Sequence, residues 1–173
     1  MGTVAYDVPL VTQSQNPICW VACMAMVASE RQGFSVGVGK YAAGFDPNSS
    51  CISNPSANID DFYVRMDRCG FNSVAVDPTP AVVENVLKTC GPFILTHDCA
   101  GFPYGSGWAA MTSGRHAVVI TAYDSDTNGG TCFMNNPWGD KDRAIQMSAI
   151  IAALTKAQAA NVKPVGYFRD KLS

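Results

Sequence analysis

The chain has 173 residues, 47% of them hydrophobic and 15% charged, with a formal net charge of -2 at pH 7; this composition predicts one soluble globular domain, spanning 1–173, with a sizeable core. There is no Lys/Arg-rich run to mark a nucleic-acid or anionic-membrane surface, and no apolar run long enough for a membrane span, so neither nucleic acid nor membrane is an expected partner. The opening MGTVAYDVPL lacks the basic flank and hydrophobic core of a signal peptide, and Tyr6 stands where a myristoylation signal needs Ser or Thr. These features predict a protein that is cytoplasmic at synthesis, with export by a route that needs no signal peptide left open.

The first predicted element carries the chemistry. In VPLVTQSQNPICWVACMAMVA, a turn signal leads into an apolar helix over 19–31. Asn16 suits the cap of that helix and Pro17 its first position, which puts Cys19 in the first turn. Unpaired backbone N–H groups and the helix dipole favour an anion there, so a thiolate forms easily. Gln13 lies six residues earlier, close enough through the turn for its side-chain amide to face an oxygen that develops charge beside Cys19. Cys23 falls on the same side of the helix and reads as core, as do Cys69 and the methionines.

Residues 33–57, rich in Gly, Ser, Asn and Pro, read as loop. Ile59, Phe62, Met66 and Cys69 share a face and predict a helix over 59–69 that Gly70 stops. Thr79-Pro80 opens a third helix, ended by Gly91-Pro92. The texture then changes. FILTH, HAVVITAY, TCFMN and VGYF are short runs of β-branched and aromatic residues, and Asn128-Gly129-Gly130 between two of them predicts an antiparallel hairpin. One more helix, over 148–158, precedes a last strand over 165–168. Helices segregated from a mostly antiparallel sheet make the fold class α+β.

His116 opens HAVVITAY after a glycine-rich loop, and an imidazole at the mouth of a strand is well placed as a base toward Cys19. Its competitor is His97, at the end of FILTH. In FMNNPWGD, Asn136 can bond the far ring nitrogen of His116 if the two strands pair, while Asn135 has the opposite strand parity. Trp138 is then placed to shield that bond. Each residue also has a plainer reading: Cys19 as a small core residue, His116 as a bonded core histidine, Gln13 as a surface amide near Gln15, Asn136 as a turn former before Pro137, and Trp138 as core. The seven cysteines (19, 23, 51, 69, 90, 99, 132) show no CxxC spacing, and two histidines are too few to complete a zinc site, so no metal and no cofactor is expected. An odd count suits one nucleophile plus disulfides acquired after export, or simply buried thiols.

The order Gln13, Cys19-Trp20, His116 and Asn136-Pro137-Trp138 resembles the papain-like cysteine peptidase superfamily, in which the nucleophile begins a central helix and the histidine and its Asn or Asp lie on the sheet. The likeness is closest to compact bacterial members, the bacteriocin-leader peptidases and secreted papain-like effector proteases, with their VPL-x-x-Q…CW opening, GP-led strand, GRHAVVI-like strand and NPWG-like turn. It covers roughly residues 8–140 in motif order. Two departures stand out: compact members often carry Asp-Pro where this chain has Asn136-Pro137, and many have Gly where it has Arg115.

The resemblance implies a Cys19–His116–Asn136 triad working through a thioester acyl-enzyme, with Gln13 and the Cys19 N–H holding the oxyanion. Three function classes follow. One is a cysteine endopeptidase, an exported bacterial effector or toxin acting on a protein or peptide of a target cell. Another is the same triad used as an amidase on peptidoglycan peptides of rival bacteria, or as a glutamine deamidase or acyltransferase. The last is a catalytically silent domain that only binds. An immunity protein or a host activator is a conceivable partner of an effector.

Overall fold

The computed structural model describes residues 3–13, 19–42, 59–104, 114–127 and 129–169. The expectations placed on Gln15, Asn16, Pro17, Cys51, Asn128, loop residues 43–57 and the glycines at 105 and 107 lie outside the described residues. Among the described residues the chain forms β1 (Val4–Ala5), α1 (Cys19–Gln32), α2 (Gly39–Ala42), α3 (Ile59–Arg68), β2 (Phe71–Val74), α4 (Pro80–Cys90), β3 (Phe93–Asp98), β4 (Arg115–Asp124), β5 (Thr131–Asn136), β6 (Asp140–Gln146), α5 (Met147–Ala159) and β7 (Val165–Phe168). The strands build one antiparallel sheet in the order β2-β7-β3-β4-β5-β6, with β1 added beside the far end of β4. The fold is α+β.

Both faces of the sheet are covered, which explains why β4 reads as an almost unbroken apolar run rather than an alternating one. Ala117 and Val119 face α1, together with Ile94, Phe62, Met66 and Phe71. Val118 and Ile120 face α4 and α5, against Val83, Leu87, Ile150 and Leu154. Helix α1 is enclosed along its length, with every residue from Trp20 to Ser29 buried. Residues such as Met24, Met26 and Val27 each gain about 1.5–3 kcal/mol from that burial, which holds the head of the helix against the middle of the sheet. At its other end the Ser29 hydroxyl donates to the Ala25 carbonyl at 2.7 Å and accepts from the Val36 N–H at 2.8 Å, turning the chain back.

The capping chemistry of α4 follows the sequence signals: Thr79 Oγ1 accepts from the Val82 N–H at 3.3 Å, Pro80 begins the helix, and Gly91, at φ 81°, donates to the Leu87 carbonyl. Four elements depart from the sequence expectation. Residues 39–42, expected as loop, form the short α2, and β1, β2 and β6 had not been assigned.

The β4–β5 hairpin depends on a glycine at its turn. Gly130 has φ +84°, and a Cβ there would sit 2.6 Å from the ring of Tyr123. Gly130→Ala is therefore expected to destabilise the fold by roughly 1–3 kcal/mol through combined backbone strain and ring displacement, read as a lower urea midpoint.

Candidate active site

Strand register brings the second half of the site together. His116 is the second residue of β4 and Asn136 the last of β5, and these neighbouring strands place His116 Nε2 2.9 Å from Asn136 Oδ1. Both side chains are buried, Asn136 completely. The orientation of the amide is determined by its other partners: Oδ1 also accepts the Trp138 backbone N–H at 3.2 Å, and Nδ2 faces Asp140 Oδ2 at 3.4 Å. An amide oxygen cannot donate, so Nε2 must carry the proton, and the basic lone pair of the imidazole is on Nδ1. Trp138 stacks on the His116 ring, with centroids 3.8 Å apart and planes 15° apart. Tyr104 closes in on both rings, at 5.1 Å from Trp138 and 5.8 Å from His116.

Cys19 opens α1 and keeps partial exposure, although protein atoms crowd its sulfur. The backbone N–H groups of Ala117, Trp20 and Cys19 itself all reach the sulfur, so the thiol lies at the start of β4, beside the residue that follows His116. The sequence expectation of an easily formed thiolate meets an opposing effect here. Burial pushes the thiol up to about 11, outweighing the backbone donors that favour the anion. Burial likewise pushes the His116 imidazole down to about 4, partly offset by its bond to Asn136. Burial thus favours the neutral thiol and the neutral imidazole at rest.

Gln13 is buried on the arm that precedes α1, and its backbone N–H donates to the Pro137 carbonyl at 2.9 Å. That bond ties the arm to the Asn136-Pro137-Trp138 turn. The competitor, His97, pairs directly across from His116 in the β3–β4 register, with ring centroids 6.0 Å apart. Both of its nitrogens are engaged, Nδ1 with the Leu95 carbonyl at 3.2 Å and Nε2 with the Tyr104 hydroxyl, and its ring stacks on Phe102. It is a packed neighbour of His116 with no ring nitrogen left for a thiol. The six described cysteines are free thiols, and among the described residues no His, Cys, Asp and Glu side chains cluster in a way that would hold a metal ion. Among those residues no helix is long and apolar enough to cross a membrane.

Residues 3–154 match the sequence profile described as papain-like cysteine protease AvrRpt2. The chain belongs to this family of papain-like cysteine proteases. It is accordingly an enzyme of the cysteine peptidase type. In fold it is similar to the crystal structure of a double glycine motif protease from an AMS/PCAT transporter in complex with the leader peptide; identity is 16%, the match covers 95% of this chain and 91% of that one, and the TM-score is 0.53. No curated protein matches the chain in sequence.

Sequence reasoning passed over Tyr104 and Ala117. Tyr104 had a faint signal, an aromatic pair with Phe102 in a glycine-rich loop. Ala117 acts through its backbone and had none.

The two histidines make an expectation about stability. Burial holds His97 at about 3 and His116 at about 4, against about 6.5 for a histidine in an unfolded chain. Below pH 6.5 the unfolded state takes up protons that the folded state refuses, so stability falls as pH falls. Between pH 6.5 and 5, above most carboxylate titration, urea unfolding is expected to show a slope approaching about 1.4 kcal/mol per pH unit for each histidine. His97→Phe should remove about half of it.

Proposed function

We propose that the protein hydrolyses peptide bonds through Cys19 as nucleophile, His116 as base and Asn136 as the group that orients the imidazole. The observation that carries this reading is the 2.9 Å His116–Asn136 bond beneath a stacked Trp138, which leaves Nδ1 as the basic nitrogen next to the strand residue whose N–H reaches the Cys19 sulfur. As Cys19 attacks a carbonyl carbon, its proton passes to His116 Nδ1, and the imidazolium is held by Asn136. The Gln13 side-chain amide and the Cys19 N–H receive the oxyanion, where one such donor is typically worth about 2.7–4 kcal/mol. Collapse expels the amine, which takes the proton from His116, and water then releases the acid from the thioester. Trp138 shields the His116–Asn136 bond from water.

The substrate we infer is a protein or peptide, a reading supported by family membership and by a structural neighbour that holds a leader peptide. The likeness to papain-like effectors supports an exported bacterial effector acting in a target cell. Incubation with a peptide library and with purified peptidoglycan, read by mass spectrometry, tests the assignment: cleaved peptides are expected, and products from peptidoglycan alone would make the enzyme a cell-wall amidase. A peptide aldehyde, whose carbonyl carbon Cys19 can attack, should form an adduct with Cys19 at neutral pH, and the absence of an adduct would leave only a binding role.

Cys19→Ala is expected to abolish turnover, and His116→Ala to lower kcat/KM by about 10²–10⁴-fold, both without unfolding the domain. Asn136→Ala should cost less than His116→Ala, because an orienting group is often the cheaper member to lose. His97→Gln should keep most activity. Since burial places the His116 imidazole at about 4, it remains an unprotonated base well below pH 6.5. Hence kcat/KM for a peptide substrate is expected to stay level from pH 8 down to pH 5, and an inflection near 6.5 would contradict the neutral resting pair.

A further inference from the structure

Asn135, the neighbour of the triad asparagine, is wholly buried and yet takes no part in holding His116. Its amide is used at both ends. Nδ2 donates to the Val8 carbonyl at 2.8 Å, and Oδ1 accepts the Asp142 N–H at 2.9 Å. The second partner exists because the β5–β6 pairing carries a bulge: between the pairs Met134–Arg143 and Asn136–Asp140, β6 has one more residue than β5. Within that stretch Asp142 adopts φ 49°, in the left-handed region, and its N–H goes to the Asn135 side chain rather than to the ladder. The first partner lies on the arm that leads to Gln13. That arm is fastened to the sheet in sequence: β1 on β4, the Tyr6 N–H on the Thr121 carbonyl at 3.0 Å, Val8 on Asn135, and the Gln13 N–H on the Pro137 carbonyl at 2.9 Å.

We propose that Asn135 is a positioning residue for the oxyanion site: by clamping Val8 to the β6 bulge it fixes where the arm delivers the Gln13 amide relative to Cys19. This rests on the acyl-transfer reading above. The adjacent asparagines thus divide the work, Asn136 setting the base and Asn135 setting the oxyanion donor. The Val8–Asn135 bond is made by a buried side chain of the sheet, so it can be altered without touching the backbone ladder; the sheet's other side-chain tie to the arm, Lys141 Nζ to Asp7 Oδ1 at 3.1 Å, is exposed.

Two reactions of the same sulfur separate this role from a merely structural one. Acylation by p-nitrophenyl acetate passes through an oxyanion, whereas alkylation by iodoacetamide does not. Gln13→Ala is expected to lose roughly the 10²–10³-fold in acylation that one oxyanion donor supplies, with alkylation unchanged within about twofold. Asn135→Leu, similar in size but without polar atoms, should show the same split with an acylation loss of about tenfold or more, and the double variant should be no slower than Gln13→Ala because both act on one interaction. Where Asn135→Leu fails to fold, Asn135→Asp keeps an acceptor for Asp142 and replaces the donor to Val8 with a carboxyl group, with the same split expected. Equal losses in both reactions, additive losses in the double variant, no loss at all, or failure of both variants to fold would overturn the positioning role. Wild-type Cys19 that is acylated by p-nitrophenyl acetate no faster than a free thiol would instead overturn the acyl-transfer reading.

Discussion

A polar pair sealed away from water sets the terms for everything around it. A neutral hydrogen bond such as His116–Asn136 stabilises a protein by only about 0.5–1.5 kcal/mol net, while a buried polar atom left without a partner costs about 1–3 kcal/mol. Burying an imidazole and an amide together is therefore tolerable only when every remaining atom is used. Asn136 meets that condition with the Trp138 N–H and Asp140, both supplied by the tight turn that follows it. The same turn swings Trp138 back over the histidine ring and offers the Pro137 carbonyl to the arm of Gln13. One short segment thus bonds the Asn136 amide, covers the His116 ring and holds the arm of Gln13.

Much of this was legible in the sequence because it is carried by local patterns. Thr79-Pro80 and Gly91-Pro92 bracket α4 as capping chemistry demands, and the β-branched runs locate β3, β4, β5 and β7. Strand parity separated Asn136 from Asn135, since successive residues on a strand face opposite ways, and the two amides indeed bond different partners. Spacing also suggested which groups could meet: Cys19 heads α1, which packs on the sheet against Ala117 and Val119, and His116 opens β4 one residue before Ala117.

What escaped has physical causes of its own. The run DKDRAIQ of β6 carries charges because it forms the open edge of the sheet, where charge discourages pairing with other chains; such a strand hides from any search for apolar alternation. β1 is two residues long and is held by its partner rather than by its own propensity. Asn135 could be recognised as different from Asn136, but not as useful, because its partners lie at Val8 and at a bulge that no spacing announces. His97 shows the converse: its sequence context resembles that of His116, and only three-dimensional packing engages both of its nitrogens.

The electrostatics of the buried site determine how its proton moves. With the thiol at about 11 and the imidazole at about 4, passing a proton from one to the other would cost on the order of 10 kcal/mol if the two groups did not interact. Burial therefore favours the uncharged pair in the free enzyme. In the proposed mechanism that cost is met when a carbonyl carbon arrives, because attack moves the negative charge from sulfur, where burial penalises it, to an oxygen facing N–H donors. Proton transfer and bond formation are thereby coupled, and the donors that receive the oxyanion assist in forming the nucleophile as well as in stabilising what it makes. In such a site the placement of the oxyanion donors matters more than in one that holds a ready-made ion pair, so the arm is fastened to the sheet by several bonds along its length.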